Sequence, residues 1–399
     1  MTTAPRPTTI SLYSGAGGMD YGLEAAGFAT RLCLDLDHDA CETIRRNRDW
    51  RVVEGDIDAF PSTHLLDEAG LGIGQTDLLA AGPPCQPFSK SGYWAGGDSR
   101  RLADPRAGTL HSFLRVLEDT APRAFLFENV RGFAFRGKNE AVHFLLDQVQ
   151  GINSRLGTSY RPVSAILRAS DYGVPQVRER FFLVAERSGQ EFVFPEAGLA
   201  GARNAWDAIA DVKPDADEDL SVHGRWAELL PSIPEGLNYL WHTDRGGGLP
   251  LFGWRRRYWS FLLKLARNRP AWTIQAQPGP AIGPFHWDNR RLSRRELCRL
   301  QTFPDDVDVF GSLGSVQKQV GNAVPSLLVE ILGREIRSQL LGSPVECSLN
   351  LLPPDRSPSP DPTPAAPVPE RYLSLAGDHA PHPGTGLGFL AARQMRLAV

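Results

Sequence analysis

Short apolar runs alternate with amphipathic stretches through the first half of the chain, which predicts strands alternating with helices. Residues 8–13 read as a strand running into Ser14-Gly15-Ala16-Gly17-Gly18-Met19-Asp20. An amphipathic stretch follows to Ala26, with Gly27 as a helix stop. Residues 28–36 read as a second strand ending in Asp35-Leu36-Asp37, and 38–47 as a helix. A short strand over 51–53 leads into Gly55-Asp56-Ile57, and Leu78-Leu79-Ala80-Ala81 reads as a buried strand. Helical patterns over 109–119 and 139–156 then alternate with strand patterns over 124–128, 160–168 and 181–185. This rhythm predicts an α/β fold: a doubly wound, mostly parallel sheet with helices on both faces.

The rhythm breaks after about Arg187. Residues 190–284 are rich in proline and glycine, first acidic and then basic, with little periodicity, and read as a smaller, irregular second lobe. Regular structure returns near Asn289, and 324–342 reads as a final helix, so residues 1–189 and 285–345 are expected to form one body. From 346 to 399 the chain is a proline-rich tail. Eight prolines fall between 353 and 369 with almost no large apolar residue, so it is expected to be disordered or extended.

Net charge is −3, which argues against a generally basic coat, but the distribution changes the picture. Between Trp241 and Leu300 twelve arginines and lysines face three acids, with Trp254, Tyr258, Trp259 and Trp272 interleaved. Such asymmetry suits one face for a polyanion. Nothing in the chain is an apolar run long enough to span a bilayer, and the N-terminus lacks the apolar core of a signal peptide. The five cysteines are widely spaced, with no zinc or disulfide pattern, and a reducing cytoplasm is expected.

Two segments carry candidate chemistry. In Gly82-Pro83-Pro84-Cys85-Gln86-Pro87-Phe88-Ser89 the prolines stop a buried strand and leave a thiol where a loop begins, the place where α/β folds put chemistry. A space-filling cysteine explains that context poorly. In the first loop, Gly15-x-Gly17 between a strand and a helix lets backbone approach a ligand, and Asp35 stands where an acid binds ribose hydroxyls. Asp20 occupies the third glycine position of the dinucleotide pattern. An acid there disfavours pyrophosphate and suits a ligand with an amino or sulfonium group, such as S-adenosylmethionine. Asp56 is placed to accept from the adenine amino group, with Leu36 and Ile57 against the ring faces.

With Glu128-Asn129-Val130, Gln176-Val177-Arg178-Glu179-Arg180, Arg291-Leu292-Ser293-Arg294-Arg295-Glu296, Gln301-Thr302-Phe303-Pro304 and Gly321-Asn322-Ala323-Val324-Pro325 following in order, the chain resembles the DNA (cytosine-5)-methyltransferases of the bacterial restriction–modification type. The resemblance covers roughly 8–189 and 287–342. It implies methyl transfer from S-adenosylmethionine to carbon 5 of a cytosine flipped out of a specific double-stranded DNA sequence. It makes Cys85 the nucleophile and Glu128 the group at the ring nitrogen and amino group, with one of Arg178 and Arg180 at the cytosine carbonyl and the other at nearby phosphate or the loop. The two arginines are expected on one strand face. The cofactor site it implies comprises Tyr13, Gly15, Gly17, Gly18, Asp35, Leu36, Asp56, Ile57, Pro84, Leu110, Asn322 and Val324. DNA is expected to meet Gln86, Ser89, Arg106, Arg255, Arg256, Arg257 and Thr273. The glycine-rich stretch from Gln86 to Gly108 is expected to be a mobile lid, and 190–284 the target-recognition lobe. A monomer is expected, with a restriction endonuclease of the same site as a companion that need not touch it.

Three rival readings stay open. The same fold acts on RNA in one branch of this family, but the Cys-Phe-Thr signature of that branch is absent. A catalytically silent DNA-binding regulator is disfavoured by the intact Cys85, Glu128 and Arg178/Arg180 set. A nicotinamide dehydrogenase is disfavoured by Asp20 and the Pro-Cys motif.

Overall fold

Seven strands form the central sheet: β1 (Thr8–Leu12), β2 (Ala29–Asp35), β3 (Arg51–Glu54), β4 (Leu78–Ala81), β5 (Ala124–Val130), β6 (Val163–Arg168) and β8 (Glu179–Glu186). A two-residue β7 (Gln176–Val177) pairs separately with β9 (Ala271–Trp272). The computed structural model describes residues 5–84, 108–134, 140–198, 200–255, 258–345 and 348–379. The sheet order is β3-β2-β1-β4-β5-β8-β6, parallel except for β8, which runs antiparallel to both β5 and β6. The order reverses between β1 and β4, so the crevice of this doubly wound sheet opens at their carboxyl ends.

Side-chain alternation decides which helices cover which face. Leu79, Ala81, Phe125 and Phe127 point to one face, where α3 (Ser62–Ala69), α4 (Gly108–Thr120) and α5 (Glu140–Leu156) bury Leu65, Phe113, Leu117, Leu145 and Val149. Leu78, Ala80, Ala124 and Leu126 point to the other, under α1 (Gly18–Ala25) and α9 (Ser326–Gln339). Strands buried on both faces read as continuous apolar runs, as Leu78–Ala81 does. α1 and α9 pack so closely that a β-carbon on Gly22 would lie 2.4 Å from the Ser326 carbonyl oxygen, so only glycine fits there.

The remaining helices are α2 (His38–Asn47), α6 (Ala205–Ile209), α7 (Arg294–Leu300), α8 (Leu313–Asn322) and α10 (Glu370–Leu373). A third apolar cluster joins α6 and Leu265, Ala271 and Ile274 to Ala16, Tyr21 and α7. A fourth lies around Leu229, Leu230, Ile233, Tyr239, Leu251, Leu262 and Phe285.

The doubly wound sheet and its helices on both faces match the expectation. Three features differ. The antiparallel β8 has the same apolar pattern as its parallel neighbours, so periodicity does not reveal its direction. α3, α7 and α8 are short helices that the pattern did not disclose, and the final helix starts after Pro325 rather than at 324. The tail is extended as expected but, over 348–379, not disordered: it is hydrogen-bonded along its course and buries Tyr372. No helix among the described residues is long and apolar enough to cross a membrane.

Candidate active site

The carboxyl ends of β1, β2 and β3 lie side by side, with Leu12 opposite Leu34 and Asp35 opposite Glu54. After Leu12 the chain turns sharply. Tyr13, Gly15 and Gly17 all have left-handed backbone, with φ of 57°, 54° and 82°. The Gly15 N–H donates to one Asp35 carboxylate oxygen at 2.7 Å, and the Asp37 N–H donates to the other at 2.8 Å. Gly55 N–H donates to the Asp35 carbonyl, and the Asp56 carboxylate accepts from Asp58 N–H. The Tyr13 hydroxyl donates to the Thr109 carbonyl, tying this loop to the start of α4.

Tyr13, Gly15, Asp35, Leu36 and Asp56 are thus gathered on one edge. A β-carbon on Gly15 would meet nothing within 4 Å, so the space above the loop is open. Leu36 stands there 70 % exposed, an isolated apolar side chain beside a carboxylate. Ile57 and Leu110 are instead turned into the core, 3 % and 2 % exposed, and offer that space only an edge.

The last sequence motif folds back onto this loop. A β-carbon on Gly18 would lie 2.8 Å from the Val324 carbonyl oxygen, and the Ser326 hydroxyl donates to the Gly18 carbonyl at 2.7 Å. Val324 is buried in that contact and Asn322 is exposed beside it.

Asp20 corrects one inference from the sequence. It sits in the first turn of α1 and is fully buried, so it does not face a ligand above the loop. Burial raises its pKa to about 7, with the nearby Asp35 charge adding to the shift. The Ser11 hydroxyl and the Asp20 backbone N–H partly offset that shift. A buried acid in that state favours its neutral form.

β4 and β5 bring the second half of the site together. Ala81 is opposite Phe127, so Gly82 and Glu128 leave the sheet side by side. A β-carbon on Gly82 would lie 3.4 Å from a Glu128 carboxylate oxygen. The buried Asn129 side chain donates to the Pro83 carbonyl at 3.2 Å, and Gly82 N–H donates to Leu12 carbonyl. The stretch Gly82–Pro84, which precedes Cys85, is therefore held by β1 and β5. Asn129 was part of a sequence motif, but its clamp on Pro83 was not legible there. Cys85, Gln86, Ser89, Arg106, Arg256 and Arg257 lie outside the described residues.

Glu128 is buried and pairs with Arg180 Nε at 2.8 Å. Burial pushes its pKa up, against the pull of the Arg180 and Arg178 charges. The two arginines make different contacts within the protein. The ladder breaks at Arg178, between β7 and β8. Its guanidinium, 1 % exposed, donates to the Ile274 carbonyl at 3.2 Å and the Gly321 carbonyl at 2.7 Å. Arg178 is a clamp between distant segments, and Arg180 is the partner of Glu128. Gln176, fully buried, works beside it, donating to the Leu300 carbonyl and accepting from Ile274 N–H.

The β7–β9 ladder carries this linkage outward. The exposed Thr273 donates its hydroxyl to the Val177 carbonyl at 2.6 Å. Next to it Trp272 and Trp259 meet edge to face at 5.2 Å, 38 % and 51 % exposed. Asn238, itself buried, donates to the Trp259 carbonyl at 2.7 Å, so this exposed indole stands on a fixed backbone. Arg255 is exposed near the Tyr258 ring.

Comparison with known proteins agrees with this geometry. Residues 7–338 match the family of C-5 cytosine-specific DNA methylases. The Type II methyltransferase M.SacI of Streptomyces achromogenes is 38 % identical over 371 residues, covering 83 % of this chain and 93 % of that protein. The Type II methyltransferase M.NgoFVII of Neisseria gonorrhoeae is 31 % identical, covering 84 % and 87 %. A solved Dnmt2 mutant from Spodoptera frugiperda shares the fold, with a TM-score of 0.59 at 17 % identity over 83 % of this chain and 99 % of that one. A parallel sheet with Glu128 beside the root of a Pro-Cys loop, and a family match across most of its length, place the chain in the C-5 cytosine-specific DNA methylase family: it is a DNA (cytosine-5)-methyltransferase.

Proposed function

We propose that this methyltransferase modifies a cytosine flipped out of a specific double-stranded DNA sequence, through a covalent adduct on Cys85, with S-adenosylmethionine as methyl donor. The observation that carries this reading is Glu128: a buried carboxyl, its pKa pushed up, one strand away from the root of the Cys85 loop. Carbon 5 of cytosine is a weak nucleophile. Addition of the Cys85 thiolate to carbon 6 forms the sulfur–carbon bond and moves the ring electrons toward carbon 5 and the ring nitrogen. Glu128, in its acid form, donates to that nitrogen as negative charge builds there, and Arg180 holds the carboxyl in place. Once carbon 5 has taken a methyl group, the bonding pair staying on the donor's sulfur, loss of the carbon 5 proton to a base, return of the nitrogen proton to Glu128 and expulsion of the Cys85 thiolate restore the ring.

The residues around the first loop fit the donor. Open space above Gly15, the Asp35 and Asp56 carboxylates, and the exposed Leu36 suit an adenosine group. When bound, S-adenosylmethionine supplies an electrophilic methyl group to carbon 5. Tyr13, Gly17, Gly18 and Pro84, with Asn322 and Val324 from the returning chain, enclose the same space, and Leu110 supports it from the core. A base inside a duplex does not reach this edge, and extrusion costs a few kcal/mol, which contacts to the flanking DNA offset. Those contacts are assigned to Gln86, Ser89 and Arg106 in the expected lid, and to Thr273 and Arg255–Arg257 in the 190–284 lobe. Trp259 and Trp272 join them on the strength of their exposure beside Thr273. The enzyme acts as a monomer and protects host DNA against an endonuclease of the same site.

The test is bisulfite sequencing of DNA from a methylation-free host that expresses this chain, with Cys85→Ala alongside. Protection at one short motif, lost in the variant, is expected. An equally protected variant contradicts the covalent route, and complete conversion with the wild-type chain contradicts the DNA substrate.

A further inference from the structure

The family match ends at residue 338, yet the described chain continues through an ordered segment that the chemistry above does not use. Residues 348–379 touch three separate parts of the molecule in turn. At the first, Asn350 and Leu351 N–H groups donate to the buried Glu330 carboxylate at 2.7 and 2.9 Å, and Leu349, Leu351 and Leu352 pack on the α1/α9 face. At the second, Arg356 closes on α6: its N–H donates to the Asp207 carboxylate at 2.8 Å, its Nε to the Asp207 carbonyl at 3.0 Å, and its Nη2 pairs with Asp211 at 2.8 Å. At the third, Ala366 N–H donates to the Pro231 carbonyl, and Tyr372 enters the fourth apolar cluster.

Tyr372 is 3 % exposed, stacks on Trp226 at 5.7 Å, and donates its hydroxyl to the Arg225 carbonyl at 2.7 Å. The small core of the second lobe is therefore completed by a residue from beyond the catalytic fold. Four prolines between the second and third stations, Pro358, Pro360, Pro362 and Pro364, pre-extend the chain, so holding it taut costs little conformational entropy. A proline-rich linker that only had to be flexible needs neither a buried tyrosine at its end nor a three-bond arginine clasp in its course.

We propose that residues 348–379 are a positioning strap that sets the angle of the second lobe against the first, with Arg356 and Tyr372 as the positioning residues, so that the DNA-reading face and the Glu128 edge engage one duplex together. This rests on the reading of residues 190–284 as the recognition lobe. The strap touches neither the Gly15 loop nor Glu128, so it acts on DNA binding and site discrimination and leaves the methyl donor alone.

The test uses the full chain and the variants Arg356→Ala/Tyr372→Ala and Tyr372→Phe. Four quantities are measured: KM for DNA, KM for S-adenosylmethionine, kcat at saturating DNA, and methylation at sites one base from the preferred one. Protease cleavage between 357 and 366 reports release of the strap. The double variant is expected to be cleaved there, to raise KM for DNA at least tenfold, and to methylate near-matching sites more. Its KM for S-adenosylmethionine and its kcat should stay within about twofold. Tyr372→Phe keeps the ring and is expected to restore most of the affinity. A released strap with unchanged DNA KM and unchanged discrimination overturns the proposal, as does a parallel loss of affinity for both substrates. Wild-type protein that methylates no DNA overturns the underlying reading of the second lobe instead.

Discussion

The sheet edge and the second lobe are held together by different means. At the sheet edge the register of parallel strands places three central groups: Asp35 on β2, Gly82 just after β4 and Glu128 on β5. Among the described residues of 190–284 regular structure is limited to α6, two short 3-10 turns at Ala227–Ser232 and Tyr239–His242, and the two residues of β9. Side chains closing on carbonyls do the work there: Asn238 on Trp259, Arg178 on Ile274, Lys264 on Ile233 at 2.5 Å. Register of a buried sheet tolerates no slip, because one residue of shift turns every side chain to the wrong face. A lobe built from individual clasps is adjustable by single substitutions.

The comparison predicts a clean split in kinetics, and Glu128 should show its largest effect. Glu128→Gln keeps the shape and the contact with Arg180 but loses the proton-donating acid. kcat is expected to fall by about 10³-fold, with affinity for S-adenosylmethionine unchanged in calorimetry. A matching rise in DNA KM with kcat intact would place Glu128 in recognition rather than chemistry.

Asp20 sharpens the same contrast through stability. Burial pushes its carboxyl up to about 7, against 3.8 for a free aspartate. Between those values the folded protein holds a proton that the unfolded chain has released. Stability therefore falls as pH rises through that window and levels off above about 7, by on the order of 4 kcal/mol at most. Asp20→Asn should flatten this slope in melting curves taken from pH 4 to 8, without changing DNA affinity. An unchanged slope means that Asp20 is ionised in the fold.

Asn129→Ala leaves the Pro83 carbonyl unpaired beneath the Cys85 loop. A stability loss of about 1–3 kcal/mol is expected, with kcat lowered and DNA KM unmoved. The smallest effect belongs to the second lobe. Trp259→Ala or Trp272→Ala should raise DNA KM about fivefold to tenfold, in line with about 1 kcal/mol for a lost stacking or apolar contact, while kcat at saturating DNA holds. Equal DNA affinity in titrations of either variant would remove the tryptophan pair from the interface.

How far the sequence speaks follows the same division. Strand and helix order in the first half was legible because period-2 and period-3.6 patterns are local and strong. α2 begins and ends where the pattern places it, at His38–Asn47. The reversal of β8 was not legible, since a strand buried on both faces carries no sign of its direction. Cys85, Glu128 and Asp35 stood out by type and position in order along the chain. The different tasks of Arg178 and Arg180 did not, because alternation predicts a face only while the strand continues, and it breaks at Arg178. Asp20 misled for a related reason: its position in a glycine pattern suggests a ligand, whereas the first turn of α1 carries it inward. The tail read as disordered or extended because proline content reports local preference, and the partners that pin it, Glu330, Asp207 and Pro231, are far away in sequence.

The most direct test of the central claim uses a duplex carrying the preferred site with 5-fluorocytosine at the target position, mixed with the enzyme and S-adenosylmethionine. Fluorine at carbon 5 cannot leave as a proton does, so an adduct formed at carbon 6 persists. The account predicts a denaturation-resistant protein–DNA complex whose cross-linked peptide maps to Cys85 and which Cys85→Ala fails to form. Methylation of normal DNA with no trapped complex, or an adduct on another residue, would contradict it.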